Sequence, residues 1–169
     1  MQVIDKMEVK LENAFKNRAK IDSSIVNFSI HAPIFVIRDL LRYIPPGTTV
    51  FEPGQVDDPV EPTFYMPSSN RGIVKIDNQL FPGEMRDYTT VHTNLAKSYE
   101  LAWTVYEALV EYGVAQEIAR MSLPSSIYTK IQVTGDLHSL SLITKSGSPL
   151  AETIIIIQEI KRYIDEMRK

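Results

Sequence analysis

The chain has 169 residues, is 44% hydrophobic and 23% charged, and carries a formal net charge of −3. That length can bury a sizeable core, and the balance is ordinary for a globular protein, with no bulk attraction for nucleic acid, though a local basic pocket stays open. Cysteine is absent, which excludes disulfides, thiolate metal sites and thiol nucleophiles.

The three histidines, His31, His92 and His138, lack zinc-ligand spacing, so no metal site is expected. The opening "MQVIDKMEVK" has no apolar stretch of the kind that begins a secretory signal. No apolar run is long enough to span a bilayer, and the expected location is the cytoplasm.

The first predicted element is a strand over 24–31, where Ile25, Asn27 and Ser29 alternate with Val26, Phe28 and Ile30. A helix follows, with Pro33 suited to its first turn and Ile34, Ile37, Leu41 and Ile44 at helical spacing. Arg38 and Arg42, four residues apart, project from one face of it. Residues 45–62 are rich in proline and glycine, which excludes regular helix or central strand and predicts one long connection. "TFYMPSS" reads as a short extended piece, and 70–88 as loop with a turn at Pro82-Gly83.

Residues 89–112 predict the clearest helix, with Leu95, Tyr99, Ala102, Tyr106, Leu109 and Val110 as its apolar stripe and Gly113 just past its end. A short helix, 115–122, stops at Leu123-Pro124. "SIYTKIQVT" then alternates as a strand, and Asp136 suits the N-cap of a helix over 137–145. After the break at 146–149, a last helix over 150–167 places Leu150, Ile154, Ile157, Ile160, Ile164 and Met167 on one face, widened by Ile155 and Ile156. Apolar surface on two sides predicts burial between neighbours, hence an oligomer. No internal repeat interrupts the chain, and a single domain over 1–169 is expected.

Two segments carry a resemblance. One is "FSIHAPIFVIRDLLRY", residues 28–43. The other is "YGVAQEIARMSLPSSIYTKIQVTGDLHSL", residues 112–140, with its Ala-Arg-x-x-Leu-Pro-x-x-x-Tyr-Thr spacing. In this order, with a weaker echo in "TFYMPS" at 63–68, they resemble the flavin-dependent thymidylate synthases. The resemblance implies an α+β fold, a twisted, mostly antiparallel sheet flanked by helices, assembled as a homotetramer with sites built between subunits. It implies transfer of a one-carbon unit from methylenetetrahydrofolate to C5 of dUMP, or of UMP in a variant, with FAD as hydride donor and NADPH as reductant. No cysteine nucleophile is needed for that route, and the resemblance assigns no catalytic side chain.

By the same resemblance Arg120 contacts the nucleotide, and Ser125 and Ser126, lying just beyond the Leu-Pro break, are placed to add hydroxyl donors. Asp39 stands where the family has a glutamine near the base, and Glu52 and Gly54 stand in for its nucleotide-contacting stretch. Arg42 and Arg38 are expected near the flavin, as are Asp136 and His138. The sequence also departs from the family. Tyr43 and Ile44 replace the His-Arg of its signature, the signature serines are missing, and the arginine of a later pyrimidine-contacting run has no match, Lys145 being the nearest cation. A flavin-contacting His-x-x-Pro-x-Glu-His segment has no counterpart either.

Each of these residues has a plainer reading. Arg120 could pair with Glu117, Arg38 and Arg42 could form a solvated face, Asp136 could be only an N-cap, and Glu52 could be a solvated loop acid. Two other functions therefore stay open: a non-catalytic relative that binds nucleotide or only assembles, and an unrelated α/β interaction module.

Overall fold

The computed structural model describes residues 2–4, 7–15, 21–51, 62–145 and 147–169. In chain order the strands and helices are β1 (Gln2–Ile4), β2 (Glu8–Phe15), β3 (Ile25–Pro33), α1 (Ile34–Leu40), β4 (Thr49–Phe51), β5 (Thr63–Tyr65), β6 (Gly72–Ile76), β7 (Gln79–Gly83), α2 (Tyr88–Glu111), α3 (Gln116–Ala119), β8 (Tyr128–Asp136), α4 (Leu137–Ile143) and α5 (Ala151–Met167). The architecture is α+β, and the chain divides into two compact units, residues 1–5 with 61–127 and residues 6–60 with 128–169.

The larger unit is built on an antiparallel sheet in the order β2-β3-β8-β4. Strand β3 is central because alternation buries one face of it, with Val26, Phe28, Ile30 and Ala32 fully inside. Its register with β8 sets Phe28 opposite Val133 and Ile30 opposite Ile131. Val36, Ile37 and Leu40 of α1, Leu137, Leu140 and Ile143 of α4, and Ile156, Ile160 and Ile164 of α5 complete the core with that face.

The smaller unit pairs β1 with β5 in parallel and carries the hairpin β6–β7 and helices α2 and α3. Its buried apolar residues are Phe64, Tyr65, Met66, Tyr99, Tyr106, Ala119 and Ile127. Phe64 stacks on Tyr99 with ring centroids 4.8 Å apart, and the Tyr99 hydroxyl donates to the Tyr65 carbonyl at 2.9 Å. The "FYM" triplet is thus the core of this unit.

Several expectations are corrected. Residues 70–88 are not loop: they form β6–β7, whose turn is Asp77-Asn78, both in the left-handed region at φ 47° and 64°. That places Pro82-Gly83 inside a strand, which an edge strand tolerates. Within 45–62, Thr49–Phe51 forms β4 on the free edge of the sheet. Strands β1 and β2 were not predicted: β1 is only three residues long, and the alternation of Glu8, Lys10 and Glu12 with Val9 and Leu11 in β2 is short and broken by an irregularity between Leu11 and Asn13. The helix expected over 115–122 is one turn of α-helix followed by a 3-10 turn over Arg120–Ser122. On α5, Ile154 and Ile155 face solvent and Ile156 and Ile157 are inside, so Ile154 belongs to the outer face.

Candidate functional site

In the smaller unit, Arg120 is the C-cap of α3 and opens the 3-10 turn. The chain leaves that turn through Leu123-Pro124, and the geometry of the exit is fixed by backbone bonds. Leu123 N–H donates to the Arg120 carbonyl at 3.0 Å, and Ile127 N–H to the Pro124 carbonyl at 3.1 Å. Ser122 Oγ donates to the Ala119 carbonyl at 2.9 Å. The buried "FYM" segment then clamps the far side, since Tyr65 N–H donates to the Ser126 carbonyl at 2.9 Å and Phe64 bridges Ile127. Arg120 is half-buried on this clamped turn and is not without a partner.

Ser125 is exposed on the same turn. Its neighbour Ser126 has a buried Oγ with no hydrogen-bond partner among the described residues. A buried hydroxyl left unmatched costs free energy unless a ligand or water takes it up. Ser126 is therefore the stronger hydroxyl candidate of the two. Its signal was only its place beyond the Leu-Pro break.

In the larger unit, Arg38 and Arg42 are both exposed, the first on α1 and the second on the 3-10 turn that continues it. Asp39 lies between them but is turned to the body of the unit. Its Oδ2 accepts from Ser148 Oγ at 2.5 Å and from Thr153 Oγ1 at 2.8 Å. Ser148 Oγ in turn accepts from the Leu150 N–H at 2.9 Å. The Ser148 bond above all holds the Asp39 carboxyl below the usual carboxylate range; burial opposes it, and the Thr153 bond and the charge of Arg42 add to the lowering. Asp39 thus ties the end of α1 to the start of α5.

Asp136 caps α4, accepting from Ser139 N–H at 2.8 Å on Oδ1 and from Ser139 Oγ at 2.7 Å on Oδ2. Those two bonds lower its pKa, assisted by the charge of His138. His138 itself is exposed on α4. His31, on the outer face of the sheet, stacks at a tilt on Tyr128 with centroids 5.1 Å apart, and burial lowers its pKa. Glu52 and Gly54 lie outside the described residues. Among the described residues no cluster of His, Asp or Glu could hold a metal, and no helix is long and apolar enough to cross a membrane.

The structure thus places Arg120, Ser125 and Ser126 on one clamped turn of one unit. In the other it places Arg38, Asp39 and Arg42 on consecutive turns of α1 and its extension, and Asp136 with His138 at the start of α4. A profile of the thymidylate synthase complementing protein family matches residues 19–168. The chain belongs to that family. Among curated relatives, a flavin-dependent thymidylate synthase of Thermus thermophilus is 34% identical over 116 residues, covering 69% of this chain and 42% of that protein. One of Streptomyces coelicolor is 29% identical over 119 residues, covering 68% and 48%. The chain therefore spans less than half the length of these two relatives. Among solved structures, the UMP/dUMP methylase PolB of Streptomyces cacaoi bound with 5-Br UMP superposes with a TM-score of 0.81 at 19% identity, covering 99% of this chain and 92% of that one. At that identity the likeness speaks for the fold, and it carries the α+β architecture across nearly the whole family member described here.

Proposed function

We propose that this family member takes part in flavin-dependent transfer of a one-carbon unit from methylenetetrahydrofolate to C5 of a uridine monophosphate, dUMP or UMP. The observation that carries the reading is the clamped turn after α3, where the Arg120 guanidinium and the unmatched Ser126 hydroxyl share one short segment. A nucleotide monophosphate carries a charge of about −1.5 to −2 at neutral pH, as phosphorylated side chains do. A guanidinium meets it with a planar fork of donors, and a hydroxyl adds a further one. Arg120 is assigned to the phosphate, with Ser125 or Ser126 beside it.

Arg38 and Arg42, exposed and one helical turn apart, suit the phosphates of FAD, and His138 beside the capped Asp136 suits its ring or ribose. The donor set fits an anionic dinucleotide, and the chemistry a bound flavin supplies is hydride donation, with NADPH restoring the reduced form. Asp39 enters this reading as a positioning group, since one of its oxygens is held by Ser148 and Thr153. The relatives' names support the flavin and the nucleotide, PolB being both a UMP/dUMP methylase and bound to 5-Br UMP or 5-Br dUMP. We place the chain in the cytoplasm, assembled as a homotetramer.

The test is an absorbance spectrum of the purified protein before and after anaerobic NADPH with dUMP or UMP present. Flavin bands that bleach, followed by a methylated or hydroxymethylated uridine nucleotide, are the expected result. A second reading, nucleotide binding without catalysis, is favoured by the engagement of Asp39 and by Tyr43 and Ile44 in place of the signature His-Arg. It predicts a protein that takes up no FAD yet still binds a uridine monophosphate. A chain that binds neither overturns both.

A further inference from the structure

Asp39 lies between two exposed arginines and bonds to neither. Arg38 stands on α1, and Arg42, four residues on, stands on the 3-10 turn Leu41–Tyr43 that continues it. Like charges at that spacing repel, and a carboxylate one turn away offsets them. Asp39 is in reach of that role. It precedes Arg42 by three residues, and side chains three apart line up along a 3-10 turn. Yet the hydrogen bonds to its carboxylate come from Ser148 and Thr153, and Arg42 acts on it through charge, without a hydrogen bond. Among the described residues neither guanidinium is held by an ion pair.

The start of α5 is what draws the carboxylate away. Thr153, fully buried in the first turn, and Ser148, buried just ahead of the helix, each donate a hydroxyl to the same oxygen, Oδ2. Ser148 Oγ accepts from the Leu150 N–H, which leaves its own hydrogen for Asp39. The N-cap, Leu150, makes no side-chain bond, and the positive end of a helix favours a carboxylate. We propose that Ser148 and Thr153 are positioning residues for Arg42: by holding Asp39 against α5 they withhold its carboxylate from Arg42 and leave that guanidinium, with Arg38 beside it, open to an anionic ligand. On the function proposed above, on which this part rests, the anion is the phosphates of FAD. Without the two hydroxyls the carboxylate turns onto Arg42. A paired arginine has to be released before it takes a phosphate, and the released carboxylate then stands beside the phosphate and repels it.

Ser148→Ala with Thr153→Val removes the two hydroxyls, and circular dichroism shows that each variant keeps its fold. Carbon-13 NMR of the Asp39 carboxyl, assigned by its loss in Asp39→Asn, reads the pairing without a ligand. Arg42→Gln should move the Asp39 titration midpoint slightly in the wild type. In the double variant the same change should raise it by about one pH unit, because it removes an ion pair that kept the carboxylate charged. FAD affinity, followed by flavin fluorescence, should fall about fivefold in the double variant. Adding Asp39→Asn should restore it, since an amide carries no charge to hold Arg42 or repel a phosphate. Both variants lack the tie between α1 and α5, so the recovery isolates the charge. The proposal is overturned if Arg42→Gln moves the midpoint equally in both backgrounds, if FAD affinity does not fall in the double variant, or if it stays low with Asp39→Asn. A wild-type chain that takes up no FAD, with the NMR difference present, upholds the withheld carboxylate and overturns the assignment of Arg42 to FAD.

Discussion

Arg120 owes its position to the backbone around it. The 3-10 turn, the Leu-Pro exit and the carbonyl of Ser126 held by Tyr65 fix where the guanidinium starts. Of this, the Leu-Pro exit was legible in the sequence, because the Ala-Arg-x-x-Leu-Pro spacing is local, whereas the 3-10 turn was read as helix and the bond from Tyr65 joins residues far apart in the chain. Replacing Arg120 with alanine removes a charge-assisted hydrogen bond to phosphate, and calorimetry with dUMP or UMP should show a loss of about 1.5–3 kcal/mol in binding. Unchanged affinity with a lowered melting point would mean that Arg120 serves only an internal ion pair. Asp39 shows the opposite case. Its partners lie 109 and 114 residues along the chain, at the start of a different helix, so no local pattern could reveal that its carboxylate is occupied. Asp39 and Asp136 both have folded pKa values below the unfolded one of about 3.9. The folded state thus favours their charged forms, so their contribution is complete above about pH 4 and fades as pH falls through the folded values. Urea midpoints measured down to about pH 2 should fall less steeply for Asp39→Asn with Asp136→Asn than for the wild type. Parallel slopes would show that other carboxylates govern acid unfolding.

Elements with one periodic face, strands β3 and β8 and helices α2, α4 and α5, were legible in the sequence, apart from Ile154 on α5, and the strands without such a face were not. The end of α2 was legible because Gly113 sits at φ +80°, a conformation that glycine adopts without strain. Hairpin β6–β7 was hidden because it has no dry face: Ile73, Ile76 and Leu80 are all more than half exposed, so no alternation marks it. Its turn holds the missed signal, an Asp-Asn pair between two apolar runs. Asn78 tolerates its φ of 64° as a β-branched residue does not. Asn78→Val should therefore destabilise the hairpin by about 1–2 kcal/mol. Hydrogen exchange should speed up at Ile76 and Gln79, the pair that closes the turn, while β3 and β8 keep their protection. Equal speeding in the central sheet would mean that the hairpin and the sheet unfold as one unit.

For the whole molecule, the decisive quantity is whether a ligand recognises the folded chain at all. The family profile covers nearly all of it, yet the match spans less than half of each of the two curated relatives, so their activities do not transfer by homology alone. Anything that binds only the folded state raises its stability, by about 2.7 kcal/mol when the free ligand is at 100 times its dissociation constant. The proposed site recognises a phosphate through Arg120, so UMP and dUMP should both raise the thermal midpoint, and uridine, which lacks the phosphate, should not. A larger shift with one of the two nucleotides would report a contact to the 2′ position of the sugar and would name the preferred substrate. Arg120→Ala should sharply reduce the difference between nucleotide and nucleoside. If UMP, dUMP and uridine all leave the midpoint unmoved at millimolar concentration, the clamped turn is a structural corner of the small unit. The family resemblance would then describe the fold of this chain and not its chemistry.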